Sequence, residues 1–275
     1  MNNDELVNQQ YGTQSLLARI EAALQDAGLG RSFLDWSDLV PLDQLHLRGM
    51  AASKEQAAAL QPAAGSTLLD IGCGLGGPAR FVAATCGCHV TGIDLNRSFV
   101  DAAIWLVKRC EMSESVSIQK ADALALPFNE ASYDNAWTQH VAMNIANRAK
   151  LYAEVFRVLK PGGRFAVYDI LAGDGRPLIF PVPWARETEQ NFLLTAEAMR
   201  ELLDETGFRE VFWADKTEAS LAWITELQPK LADAPPLGPP VVMGAQFGEM
   251  AENLRRNLHE GRVQVLQAIF ERAAQ

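Results

Sequence analysis

Metal and disulfide chemistry have little to work with here: the 275 residues include only four cysteines and four histidines. Cys86-Gly87-Cys88 lacks the second cysteine pair or flanking histidines of a zinc site, and four thiols cannot staple a chain of this length. The cysteines are therefore read as structural, and no metal is expected. Positive charge is also scarce, with 24 Lys and Arg against 34 Asp and Glu and a net charge of -10. That is the wrong sign for neutralising a phosphate backbone, so nucleic acid is not expected as a partner. No run approaches the ~18 apolar residues that span a bilayer, and Met1-Asn2-Asn3-Asp4-Glu5 has neither a basic nor an apolar leader region. The expectation is a cytoplasmic protein without a membrane partner.

Apolar residues make up 48% of the chain and charged residues 21%, enough for a sizeable core. Residues 1–62 read as a helical cap. Leu16, Leu17, Ile20, Ala23 and Leu24 recur at helical spacing, and a second helix from Met50 to Leu60 stops before Pro62. From Ser66 onward, short apolar runs alternate with helices, the pattern of a parallel α/β sheet. Strands are expected at Thr67 to Ile71, His89 to Ile93, Ser115 to Lys120, Tyr133 to Thr138, Arg164 to Asp169 and Phe208 to Ala214. Helices are expected near Gly77 to Thr85, Arg97 to Arg109, Arg148 to Leu159 and Ala196 to Thr206, with Lys160-Pro161-Gly162-Gly163 turning the chain into the fifth strand. Two insertions, near 173–191 and 216–261, interrupt residues 66–275. Arg262 to Phe270 alternates at period two and reads as a last strand, with a helix continuing from Met250 as the alternative.

The chemistry concentrates in Leu68-Leu69-Asp70-Ile71-Gly72-Cys73-Gly74-Leu75-Gly76-Gly77, at a strand-to-helix junction. Glycines make the turn tight and let a ligand approach backbone, and the helix start offers unpaired amides. Gly72, Gly74 and Gly77 also satisfy G-x-G-x-x-G, so a nicotinamide dinucleotide enters the comparison. Three carboxylates shift the balance. Asp70 precedes the glycines and can meet a ligand ammonium, Asp94 ends the second strand where a carboxylate accepts both ribose hydroxyls, and Asp122 follows the third strand beside an adenine amine. The ligand implied is adenosine carrying an amino-acid tail.

With these residues in order, the sequence resembles the class I S-adenosylmethionine-dependent methyltransferases, and among them the small-molecule type that includes sarcosine and dimethylglycine N-methyltransferases. The matching residues are Asp70 with Gly72, Gly74, Gly76 and Gly77, then Gly92-Ile93-Asp94-Leu95, Asp122-Ala123 with Leu126-Pro127-Phe128, Trp137-Thr138-Gln139-His140, and Arg157 to Gly163. The resemblance implies S-adenosylmethionine as cofactor, with Gly72 and Gly74 against its methionine part, Asp94 on the ribose, Leu95 flanking the adenine, Asp122 and Ala123 at its edge and Gln139 facing the methionyl group. The resemblance also implies that Tyr11, ahead of the first helix, folds over the cofactor as an N-terminal tyrosine does in some similar enzymes, and His46 lies in a stretch similar to one that related proteins carry ahead of the core.

The expected architecture is one α/β domain, a Rossmann-like doubly wound, mostly parallel sheet with an N-terminal helical cap and lid insertions. His140, after the fourth strand, is the first candidate for contact with a small-molecule methyl acceptor or for proton removal, because its side chain titrates near neutrality. Asp169, at the end of the fifth strand, and His46 are the other catalytic candidates. Phe180 and Trp184 fit an aromatic wall for a cationic acceptor, a hydrophobic lid or a subunit contact within a homodimer. The acceptor nucleophile is left open among nitrogen, oxygen and carbon. A nicotinamide-dependent oxidoreductase and a noncatalytic cofactor-binding protein are the competing readings.

Overall fold

The computed structural model describes residues 15–227 and 236–273. A seven-stranded sheet organises them in the order β3-β2-β1-β4-β5-β7-β6. Its strands are β1 (Thr67–Ile71), β2 (His89–Asp94), β3 (Val116–Lys120), β4 (Tyr133–Gln139), β5 (Leu159–Ala172), β6 (Phe208–Asp215) and β7 (Val263–Arg272). The pairs among β1 to β5 are parallel, while β7 runs antiparallel to both β5 and β6. Residues 263–272 are thus a strand, entered after the chain leaves a helix at His259.

After helix α1 (Leu16–Asp26), the chain turns through a 3-10 segment (Trp36–Leu39) and the short α2 (Val40–Asp43) into α3 (Gly49–Leu60). The helices α4 (Gly77–Cys86), α5 (Arg97–Arg109), α6 (Arg148–Val158) and α7 (Ala196–Thr206) connect the strands. Local chemistry sets their ends. Asn96 and Asn147 cap α5 and α6 by accepting from the Ser98 and Lys150 amides, and Gly87 ends α4 in the left-handed conformation that glycine adopts without penalty. One sheet face packs Leu69, Ile71, Phe165 and Val167 against Tyr152 and Val155 of α6 and Leu203 of α7. The other packs Leu68, Val90 and Trp137 against Leu60 of α3 and Phe81 and Val82 of α4. Strands covered on both faces can carry apolar residues at successive positions, as Leu68-Leu69 of β1 and Phe165-Ala166-Val167 of β5 do, which is why the sequence shows short continuous runs there.

Lys160-Pro161-Gly162-Gly163 differs from its expected role. The four residues lie inside β5 as a bulge, with Tyr133 opposite Leu159 and Asn135 opposite Arg164. A side chain at Gly163 would come within 2.8 Å of the Lys160 carbonyl, so the bulge needs glycine there.

The insertion after β5 has little regular structure: a bridge between Val182 and Ala185 and a 3-10 turn at Thr188–Gln190. The second insertion supplies α8 (Thr217–Leu227), α9 (Pro239–Met243) and α10 (Phe247–His259). Among the described residues no helix is long and apolar enough to cross a membrane, and no cluster of three potential metal ligands occurs.

Candidate active site

The strand order reverses between β1 and β4, and in open α/β sheets ligands bind outside the carboxyl ends of the strands at such a point. A cavity of about 920 Å³ opens there, at the upper end of the range of roughly 300–1,000 Å³ typical of small-molecule sites. It is lined by the glycine turn, the ends of β2 and β4, the cap and both insertions.

The turn after β1 is held from two sides. The amides of Gly72 and Cys73 donate to the Ile93 carbonyl at 2.8 and 2.9 Å, and the Gly74 amide donates to Asp94 Oδ2 at 3.0 Å. Gly72 and Gly74 have φ of 71° and 53°, where side chains are strained. At Gly72 a Cβ would also strike Val141 at 2.5 Å, whereas at Gly74 the same space is open within 4 Å. A ligand can therefore approach the Gly74 backbone closely.

Asp94 accepts a second backbone amide, from Asn96, at 2.8 Å, and burial pushes its carboxyl pKa up. Asp70 is buried in the same wall. Burial, opposed by the Trp137 indole and reinforced by the Asp94 charge, raises its pKa to about 7, and its Oδ2 has no hydrogen-bond partner among the described residues. A buried, unpartnered carboxylate oxygen calls for a donor, preferably cationic. The ammonium of S-adenosylmethionine meets that requirement. Leu95, 44% exposed, Asp122 and Ala123 border the same part of the cavity, and Asp122 also accepts from the Leu124 amide at 2.8 Å.

Gln139 and His140 follow on β4. Gln139 Nε2 donates to Ser53 Oγ at 3.4 Å, while its buried Oε1 lacks a partner among the described residues. His140 has φ of 54°, its backbone amide donates to the Tyr168 carbonyl at 2.8 Å, and its buried Nε2 has no partner among the described residues. Burial and the neighbouring His46 hold the His140 pKa well below 6.5, so the ring is neutral. His46 belongs to the cap. Its Nε2 donates to the Gly49 carbonyl at 3.1 Å, which assigns the tautomer, and burial lowers its pKa to about 4. Centroids of the two histidine rings are 6.1 Å apart.

Asp169 does not join them. It lies outside the cavity lining, with Oδ2 3.6 Å from the Arg148 guanidinium of α6 and a pKa that burial raises to about 6. Successive strand residues point to opposite faces, so the carboxylate of Asp169 turns towards α6 while its neighbour Tyr168 meets His140. The catalytic assignment of Asp169 is corrected accordingly to a buried ion pair. Tyr11 lies outside the described residues.

The sequence reading missed Asp43. Its carboxylate meets Arg80 of α4 at 2.6 Å with both side chains almost fully buried, and Arg80 also donates to the Leu75 carbonyl inside the glycine turn. Gly77 fits beneath this pair, since a Cβ there would lie 2.4 Å from the Asp43 carboxylate. The only sequence signal was an acidic residue within the cap, 37 positions from its partner.

A family model described as a methyltransferase domain matches residues 69–167. The chain is 30% identical over 170 residues to an O-methyltransferase of Pyrenophora dematioidea, a match covering 62% of this chain and 64% of that protein. It is 32% identical over 183 residues to O-methyltransferase resE of Aspergillus sclerotiorum, covering 66% of this chain and 69% of the other. The chain thus spans slightly under two thirds of the Pyrenophora relative and slightly over two thirds of the Aspergillus one. In fold it is similar to a putative sarcosine dimethylglycine methyltransferase from Galdieria sulphuraria, with a TM-score of 0.69, 18% identity, and coverage of 82% and 86% of the two chains.

Proposed function

Because this chain belongs to the class I S-adenosylmethionine-dependent methyltransferases, we propose that it methylates a small-molecule acceptor held in the cavity beside His140. The observation that carries this reading is the buried, unpartnered Asp70 Oδ2 on a wall shared with Asp94, the open side of Gly74 and His140. When bound, S-adenosylmethionine supplies a methyl group already activated by its sulfonium.

The residues of this chain then have separate tasks. Asp70 would pair with the ammonium, Asp94 would accept the ribose hydroxyls while fixing the turn through the Gly74 amide, and Leu95, Asp122 and Ala123 would border the adenine. Gln139, tethered to Ser53, would present Oε1 to the methionyl end. His140 would accept a hydrogen bond or proton from the acceptor; a neutral imidazole is the form competent for either. Holding the acceptor in line at near-attack distance is the main requirement, since effective molarity alone supplies about 7–11 kcal/mol in well-oriented reactions.

The test is a thermal shift with S-adenosylhomocysteine, NADH and NADPH in parallel, followed by an acceptor screen with a homocysteine-coupled readout. Stabilisation by S-adenosylhomocysteine together with turnover supports the reading. Stabilisation by a nicotinamide cofactor alone overturns it in favour of an oxidoreductase, and cofactor binding without turnover across the screen favours a noncatalytic binding protein.

A further inference from the structure

Beyond the cofactor wall, the cavity changes character. Its sides there come from one hydrophobic cluster, including Leu47 of the cap, Met143, Ile170 of β5, Ile224 of α8, Phe247 and Leu254 of α10. Trp184 of the first insertion packs on the same cluster. Among the described lining residues of this region, full charges are confined to Arg186 and Glu189, which are both solvent-exposed.

The amides around the cavity are mostly engaged. Gln44 accepts from Ser53 at 2.7 Å, Asn147 caps α6, Asn144 donates to the Val141 carbonyl at 3.2 Å, and Gln190 accepts from the Arg186 amide at 2.8 Å. With Gln139 assigned to the methionyl end, His140 is, among the described residues, the buried unpartnered polar side chain left at the boundary with the apolar region. An amino-acid acceptor would bring a carboxylate and an ammonium into walls that offer, among the described residues, no buried partner for either, which is a heavy desolvation cost. A molecule with one donor group and a large apolar body would leave nothing unpaired.

Resting on the methyltransferase reading, we infer that the acceptor is a bulky, uncharged, predominantly apolar molecule methylated on a hydroxyl oxygen that His140 engages. As the C–O bond forms, the C–S bond of the sulfonium breaks and its electron pair stays on sulfur. The hydroxyl proton passes to the imidazole and from there to water. Nothing else is consumed.

The test uses the full chain saturated with S-adenosylhomocysteine, titrated by calorimetry with 2-naphthol, 2-methoxynaphthalene, 2-naphthylamine and sarcosine. The expected result is that 2-naphthol binds at least about tenfold more tightly than its methyl ether, that neither amine nor sarcosine matches it, and that turnover with S-adenosylmethionine yields 2-methoxynaphthalene. His140→Gly, which keeps the positive φ accessible, is expected to erase the naphthol preference, and His140→Asn to retain binding while losing turnover. Equal affinity for naphthol and its ether, tighter binding of sarcosine or naphthylamine, or an unchanged preference in His140→Gly overturns the inference. Failure of S-adenosylhomocysteine itself to bind is a different result and overturns the methyltransferase reading beneath it.

Discussion

The imidazole of His140 lies parallel to the phenol ring of Tyr168, with 5.3 Å between centroids and 2° between planes. Gln139 pairs with Tyr168 across β4 and β5, so sheet register sets this stack, and the Tyr168 hydroxyl lies 3.4 Å from Ser220 Oγ. Tyr168 stacks on the His140 ring, so under the proposed reading it would act by positioning the imidazole that meets the acceptor. Tyr168→Phe keeps the stacking face and is expected to retain most activity. Tyr168→Leu is expected to lower kcat about tenfold or more while the Kd for S-adenosylhomocysteine stays within about twofold. A rise in the acceptor KM at unchanged kcat would mean that Tyr168 only shapes the pocket.

Burial of His46 gives stability a pH dependence with a definite sign. Its pKa falls from 6.5 in the unfolded chain to about 4 in the fold, so between these values the unfolded state holds the extra proton. The contribution is complete above pH 6.5 and is lost as pH falls towards 4, by about 3 kcal/mol at 1.36 kcal/mol per unit. Urea unfolding at pH 7 and pH 4.5 of the wild type and His46→Gln checks it: the variant should lose less stability on acidification.

Cofactor affinity should rise with pH near neutrality. Asp70 titrates at about 7 when the site is unfilled, and an ammonium beside it favours the carboxylate, so binding releases a proton at pH 6.5. Calorimetry in buffers of different ionisation enthalpy measures that release. Asp70→Asn should bind more weakly and release no proton.

Asp94→Ala removes the acceptor for the Gly74 amide and, under the proposed reading, would remove two ribose contacts. Hydrogen bonds to a charged group contribute about 1.5–3 kcal/mol each, so the Kd for S-adenosylmethionine should rise at least about tenfold with thermal stability largely kept. An unchanged Kd would remove Asp94 from the ribose.

Arg80→Ala strands a buried carboxylate at Asp43 and frees the Leu75 carbonyl. Breaking one partner of such a pair costs about 3–5 kcal/mol, whereas Asp43→Leu combined with Arg80→Leu should recover part of the loss. Denaturant midpoints for the two single variants and the double variant form the cycle that tests the coupling.

The glycine turn and its three carboxylates were legible because each sits at a strand end, where backbone geometry restricts residue choice and sequence order follows spatial order. Gln139 and His140 were legible for the same reason. Asp169 shows the limit: its height along the sheet was read correctly, but its face depends on the pleat of β5, and an error of one residue exchanges Tyr168 for Asp169. Asp43 and Arg80 meet only because the cap folds back on α4, which no local pattern records. The apolar walls were hidden for another reason, since Ile224, Phe247 and Leu254 read as ordinary helix-core residues until the second insertion packs against Ile170.

The place of β7 in the sheet has a consequence for the order of assembly. It follows every other described strand in the chain yet lies between β5 and β6, pairing Phe270 with both Phe165 and Glu210. During synthesis β6 emerges before β7, its only partner among the described strands, and α8 to α10 emerge before the strand that anchors their far end. The mononucleotide-type half built from β1 to β5 can close first, with short loops. The compartment for the second ligand is therefore completed last, and a ribosome stalled before residue 263 would expose that apolar lining while the glycine turn was already formed.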